Sequence, residues 1–204
     1  MRVQKNQFFF GLGLTRAGTG TPDIANLMAI ADLFQISVDE LLSNEKSEKK
    51  QSDYIYESRT EYDIDGKKNF DIKLGGAYAV DLKAYHGEKI EVTMFSNVYK
   101  NLPADYKVKI DDIKNRIDIE LNRFNEASEA DAKESLVITI FIPVKYIGKI
   151  ELSVNARTLN ITDIENGHIE VNGRISEVTL QGNKSEIEID SNLDMQIWSF
   201  WRER

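Results

Sequence analysis

From residue 68 onward the apolar residues fall on alternate positions in short bursts. These are Phe70/Ile72/Leu74, Val80/Leu82, Ile90/Val92, Val108/Ile110 and Ile117/Ile119/Leu121, followed by the denser run Val137 to Val144. A period of two marks a strand with one buried face, so a succession of short strands is expected here, without helices. After Pro143 the bursts become regular. Ile150/Leu152, Ile169/Val171 and Ile187/Ile189 form one series, stepping by 19 and then 18 residues. Leu159/Ile161, Val178/Leu180 and Ile197 form a second series that steps by 19 and interleaves with the first. Asn and Gly fill many intervals: Asn155, Asn166-Gly167, Asn172-Gly173 and Gly182-Asn183.

Strands of three or four residues with a nearly constant step suit a chain wound in coils, each strand stacked on the one a full turn earlier. An antiparallel sandwich, which also turns every roughly 8 to 12 residues, is the competing arrangement. The expected fold is mainly β. Its C-terminal domain, 61–204, is β-solenoid-like: a single-stranded right-handed β-helix with a coil of about 19 residues.

The N-terminal quarter has a different pattern. Thr21 can cap a helix with Pro22 at its first position. Ile24, Leu27, Met28, Ala31 and Phe34 follow the spacing of one apolar helical face. Ser37 and Glu40 make a capping box for a second helix, in which Leu41 and Leu42 supply the apolar side. Between these helices and the β region, "SNEKSEKKQSD" (43–53) is charged and has no apolar residue. Such a composition cannot bury itself, and a linker over 45–60 is expected.

The stretch "PDIANLMAIADLFQISVDELL" resembles the last two helices of the Cro/CI-type (XRE-type) helix-turn-helix family of bacterial transcriptional regulators. It matches that family's Pro-Asp/Glu opening, Leu-x-x-Ile/Leu-Ala-x-x-Leu/Phe body and V-S-x-D-E-L-L ending. The resemblance implies a helical hairpin over 21–44 that is the remnant of a DNA-binding domain, with Ile24, Leu27, Met28, Ala31, Phe34 and Leu41 as its core. The family's DNA-reading helix would lie N-terminal to the match. Residues 1–20 are too few for three helices and contain Gly11, Gly13, Gly18 and Gly20. No DNA-binding residue can therefore be named, and a truncated or frame-disrupted regulator, or a gene fragment, is expected. A signal peptide reading of 1–20 fares worse, since "FFFGLGL" is of minimal length and Arg16 stands where a small-residue cleavage site should begin.

The β region has its own resemblance. "SLVITIFIPVKYIGKIELSVNARTLNITDIENGHIEVNGRISEVTLQGNKSEIEID" is similar to the bacterial domain family called "putative adhesin", a repetitive β-solenoid-like module. A strand ending in Pro, then Ile-x-Leu, Leu-x-Ile and Ile-x-Val strands separated by Gly/Asn turns, carry the likeness over about 68–197. No binding residue transfers with it. A helix-turn-helix module followed by this domain resembles a group of bacterial regulators, which implies a sensing or assembling role for the β part.

The totals narrow the classes. The chain has 204 residues and 41% hydrophobic content, enough for a core. No apolar run reaches the length of a membrane span, so no membrane partner is expected. The absence of cysteine removes disulfide and thiolate chemistry and fits a reducing cytoplasm. Residues 1–52 are close to neutral, so the net charge of −8 falls on the remainder. An acidic body repels phosphate backbones, and DNA binding is expected to be weak at most.

Little chemistry is visible. "EYDIDGKKNFDI" (61–72) places Glu61, Asp63, Asp65 and Gly66 like the start of a calcium loop, but Ile72 stands where a bidentate Glu is required. Asp65-Gly66 reads better as a hairpin turn. His86 and His168 lie far apart and show no neighbouring carboxylate pair. Asp111-Asp112 reads as a charged turn, and Asn160-Ile161-Thr162 as part of a strand rather than a glycosylation site. Trp198 and Trp201 are expected to cap the solenoid end or to bind a partner. No catalytic, metal or cofactor site is expected, and no ligand is identified. The reading is thus a non-enzymatic, cytoplasmic, regulator-related protein, with self-association through the helical remnant or the solenoid end. The alternative is an extracellular adhesin-like structural or binding module.

Overall fold

The computed structural model describes Met28 and residues 54–165, 167–191 and 195–200. The chain divides into two compact units, Met1–Glu48 and Lys49–Arg204. In the first unit Met28 is helical and 54% exposed. The segment 1–20, the rest of the expected hairpin with Ile24, Leu27, Ala31, Phe34 and Leu41, and the linker as far as residue 53 lie outside the described residues.

The second unit is mainly β. Its strands are β1 (Tyr56–Asp63), β2 (Lys68–Tyr85), β3 (Lys89–Ser96), β4 (Tyr106–Ile113), β5 (Arg116–Arg123), β6 (Val137–Pro143), β7 (Ile147–Thr162), β8 (His168–Gln181), β9 (Glu186–Ser191) and β10 (Gln196–Phe200). Two short helices, α1 (Leu102–Asp105) and α2 (Glu129–Ser135), interrupt the region expected to be free of them. Ser128 caps α2 by accepting a hydrogen bond from the Asp131 N–H at 3.1 Å. β1 begins inside the expected linker, because Tyr56, Ser58, Thr60 and Tyr62 are half-buried on one face while their neighbours are exposed.

The ten strands form one sheet that is not closed. Its N-terminal part is antiparallel, with β1 on β3, β3 on β6 and β4 on β5. This also corrects the hairpin expected at Asp65-Gly66: β1 pairs with β3, not with β2. From β2 onward the ladders are parallel. β2 pairs with β5, β6 and β7, β7 with β8, and β8 with both β9 and β10. A purely antiparallel sandwich is therefore not what this sequence forms.

The two apolar series turn out to be two arms of the same long strands. Ile150 and Leu159 both lie in β7, and Ile169 and Val178 both lie in β8. The Asn and Gly residues between the arms keep the ladder going. Asn155 Oδ1 accepts from the Arg174 N–H at 3.1 Å, so a side chain supplies the rung that a turn would have broken. One rung above, the β2–β7 ladder slips between Lys73 and Gly75, and Gly75 takes a φ of +66°. Gly173 sits at the same level with a φ of +144°, where a Cβ would run into the Val154 carbonyl oxygen.

Identical rungs align identical side-chain types. In one arm Ile117, Phe70, Ile150, Ile169 and Ile187 follow one another by register. In the other arm the order is Met94, Ile138, Val80, Leu159, Val178 and Ile197. The members of both columns above the last rung are fully buried and belong to one apolar cluster. Each such Ile, Leu or Val contributes roughly 1.5–3 kcal/mol by leaving water.

Candidate binding surface

The columns end at β8. Below it, β9 continues the first arm, pairing His168 with Glu186, Ile169 with Ile187 and Glu170 with Glu188. β10 continues the second arm, pairing Ile197 with Val178 and Ser199 with Leu180. Among the described residues, no strand pairs with the outer edge of β9 or β10. A strand edge left this way presents unpaired N–H and C=O groups and is a template for another strand.

The two arms treat that edge differently. β9 reads EIEIDS and carries exposed Glu186, Glu188 and Asp190, charges that discourage strand addition. β10 reads QIWSF and has no charge at all. All five of its residues are exposed; Ile197 is 52%, Trp198 55% and Phe200 55% accessible. Between the arms the core opens into a small cavity of about 150 Å³ lined by Leu180, Asn183, Ser185, Ile187, Ser199 and Phe200. Asn183 closes its inner side. Its Oδ1 accepts from the Ile164 N–H at 2.9 Å and its Nδ2 donates to the Ile161 carbonyl at 2.7 Å.

The outward face of the first arm is a charged ladder. Lys149 Nζ lies 2.9 Å from both Glu151 and Glu170, and these two carboxylates push its pKa up to about 12, with the Glu170 hydrogen bond foremost. The same contact holds the Glu170 carboxyl below its usual range. One rung down, His168 Nδ1 is 3.5 Å from Glu186 Oε2.

The residues singled out in the sequence are distributed as follows. Trp198 lies on the exposed edge strand, covering nothing beneath it, and Trp201 lies outside the described residues. Asp111 and Asp112 are strand residues rather than a turn, each held by its own lysine, Lys109 and Lys68. The turn comes at Lys114, whose φ of +57° lets the β4–β5 hairpin close. Glu61 and Asp63 belong to β1 and face Lys89 at 3.3 and 3.7 Å, so those carboxylates are matched by protein cations. Asn160 donates to Asp81 at 2.6 Å within the sheet. His86 is exposed between β2 and β3.

His168 is different from what its sequence neighbourhood suggests. The structure brings it to Glu186 and Glu188, correcting the expectation that it lacks a carboxylate pair. The signal was present in the repeat: a step of 18 residues from Ile169 to Ile187 also carries His168 onto Glu186.

No family model matches the chain, and no curated protein sequence matches it. Several solved structures do. A "putative cell adhesion protein" from Clostridium sporogenes is 10% identical, covering 71% of this chain and 99% of its own, with a TM-score of 0.39. A "putative adhesin" from Bacteroides fragilis is 13% identical over 66% of this chain and 62% of its own, with a TM-score of 0.36. A "Putative lipid binding protein" from Parabacteroides distasonis is 11% identical over 66% and 60%, with a TM-score of 0.35. Scores this low leave the functional reading to the chain's own residues. Among the described residues, no helix is long and apolar enough to cross a membrane.

Proposed function

We propose that residues 61–204 are a non-enzymatic β-solenoid module of the adhesin-like, structural and binding kind, and that its last rung joins a second copy of the chain. The observation that carries this reading is the contrast between the two edge strands. β9 is guarded by three carboxylates, whereas β10 offers Ile197, Trp198 and Phe200 with no charge. A second copy brings the same uncharged row. Two β10 strands can therefore pair without opposing like charges, and the pairing closes because each copy uses its one free β10 edge. The parallel register running from β2 to β10 supports the solenoid part of the reading.

Sedimentation velocity of the full chain over a range of concentrations tests it. A monomer–dimer equilibrium is expected for the native chain. Trp198→Lys, which places a charge on the edge while leaving the core untouched, should be monomeric with unchanged far-ultraviolet dichroism. A native chain that stays monomeric throughout contradicts the proposal.

The regulator-related reading, with its cytoplasmic location, rests on the resemblance of residues 21–44 alone. The acidic body is a poor surface for phosphate backbones, so DNA is the weaker partner choice.

A further inference from the structure

The outward face of the first arm carries a cluster that the module reading does not use. His168 and Glu170 on β8 pair in register with Glu186 and Glu188 on β9, so four side chains with potential donor atoms occupy adjacent positions of two rungs. Glu170 is already engaged by Lys149 at 2.9 Å. The other three are not. Glu186 meets only the His168 ring, at 3.5 Å, and Glu188 makes no ion pair or hydrogen bond among the described residues. One donor atom from each of His168, Glu186 and Glu188 can be chosen so that all lie within 4.8 Å of one another.

We propose that His168, Glu186 and Glu188 bind a divalent transition-metal ion of the zinc class. An imidazole nitrogen and two carboxylate oxygens are a donor set that suits such ions, and three protein ligands leave a position for water. Metal–ligand bonds of about 2.0–2.2 Å in a tetrahedral site put donors roughly 3.4 Å apart. The His168–Glu186 separation already matches that edge, and the exposed Glu188 side chain has the freedom to close the remainder. The strands fix where each ligand starts, since neighbouring rungs lie about 4.8 Å apart. The field also favours a cation. Glu151, Glu170, Glu186 and Glu188 share this face, and Lys149, which already pairs with the first two, is the cation set against them.

Isothermal titration of the untagged full chain with Zn²⁺, in a buffer that does not chelate, is the test. One ion per chain with a micromolar dissociation constant is expected. His168→Ala and Glu188→Gln should each weaken binding by about tenfold or more, since each removes one of only three ligands. His86→Ala, at the other histidine, should leave it unchanged. Both ligand positions are on the surface of the sheet, so dichroism should report an intact fold for every variant. Absence of stoichiometric binding by the native chain would overturn the assignment, as would binding that survives both ligand substitutions.

Discussion

Ile197 lies directly on Val178 in parallel register, yet Val178 is fully buried and Ile197 is 52% exposed. Val178 has Leu159 on its other side, so it is sandwiched between two rungs, whereas Ile197 is covered on one side only. The same substitution should therefore have different effects at the two positions. Val178→Asp buries an uncompensated charge and should cost several kcal/mol, about 3–5. Ile197→Asp leaves its carboxylate in water and should cost about 1 kcal/mol or less. Urea unfolding of both variants measures the difference; equal losses would be inconsistent with a stack that ends at β10.

The backbone at Gly173 is the next point of strain. Its φ of +144° is closed to most L side chains, and a Cβ there meets the Val154 carbonyl oxygen of the rung above. Gly173→Ala should cost about 2 kcal/mol or more, combining backbone strain with displacement of a paired strand. Gly66 is the control. It has open space around its Cβ position and no positive φ, so Gly66→Ala should be neutral or stabilise slightly through the unfolded chain. Thermal unfolding of the two alanine variants is sufficient to compare them.

Asn183 is one of three buried polar residues among those described, and both ends of its amide serve backbone groups near the last rung. Asn183→Ala leaves the Ile164 N–H and the Ile161 carbonyl without those partners. The expected cost is about 2–3 kcal/mol, more than deletion of a surface amide. Asn160→Ala, which removes a half-buried contact to Asp81, should cost less. Denaturant midpoints rank the two.

Much of the β unit was legible in the sequence because its information is periodic. The residues at steps of 18 and 19 are the ones that pair, as Ile150, Ile169 and Ile187 show. What periodicity does not report is continuity. Asn155 and Asn172-Gly173 have the composition of turns, but their side chains and glycine geometry carry the ladder through, so apparent pairs of short strands became single long ones. The antiparallel pairing of β1 with β3 was also hidden, since its partners are separated by all of β2 and follow no fixed step. The His168 cluster was in reach of the repeat. It was missed because carboxylates were sought near the histidine in sequence, when the relevant distance is one coil.

The central claim is that β10, and not β9, is the edge that takes up a second copy of the chain. Hydrogen exchange followed by mass spectrometry, at protein concentrations below and above self-association, tests it most directly. An added strand protects the amides that pair with it, so the peptide spanning Gln196–Phe200 should exchange more slowly at high concentration. The peptide spanning Glu186–Ser191 should exchange at the same rate at both. Unchanged exchange in β10, or protection gained in β9 instead, would contradict the account.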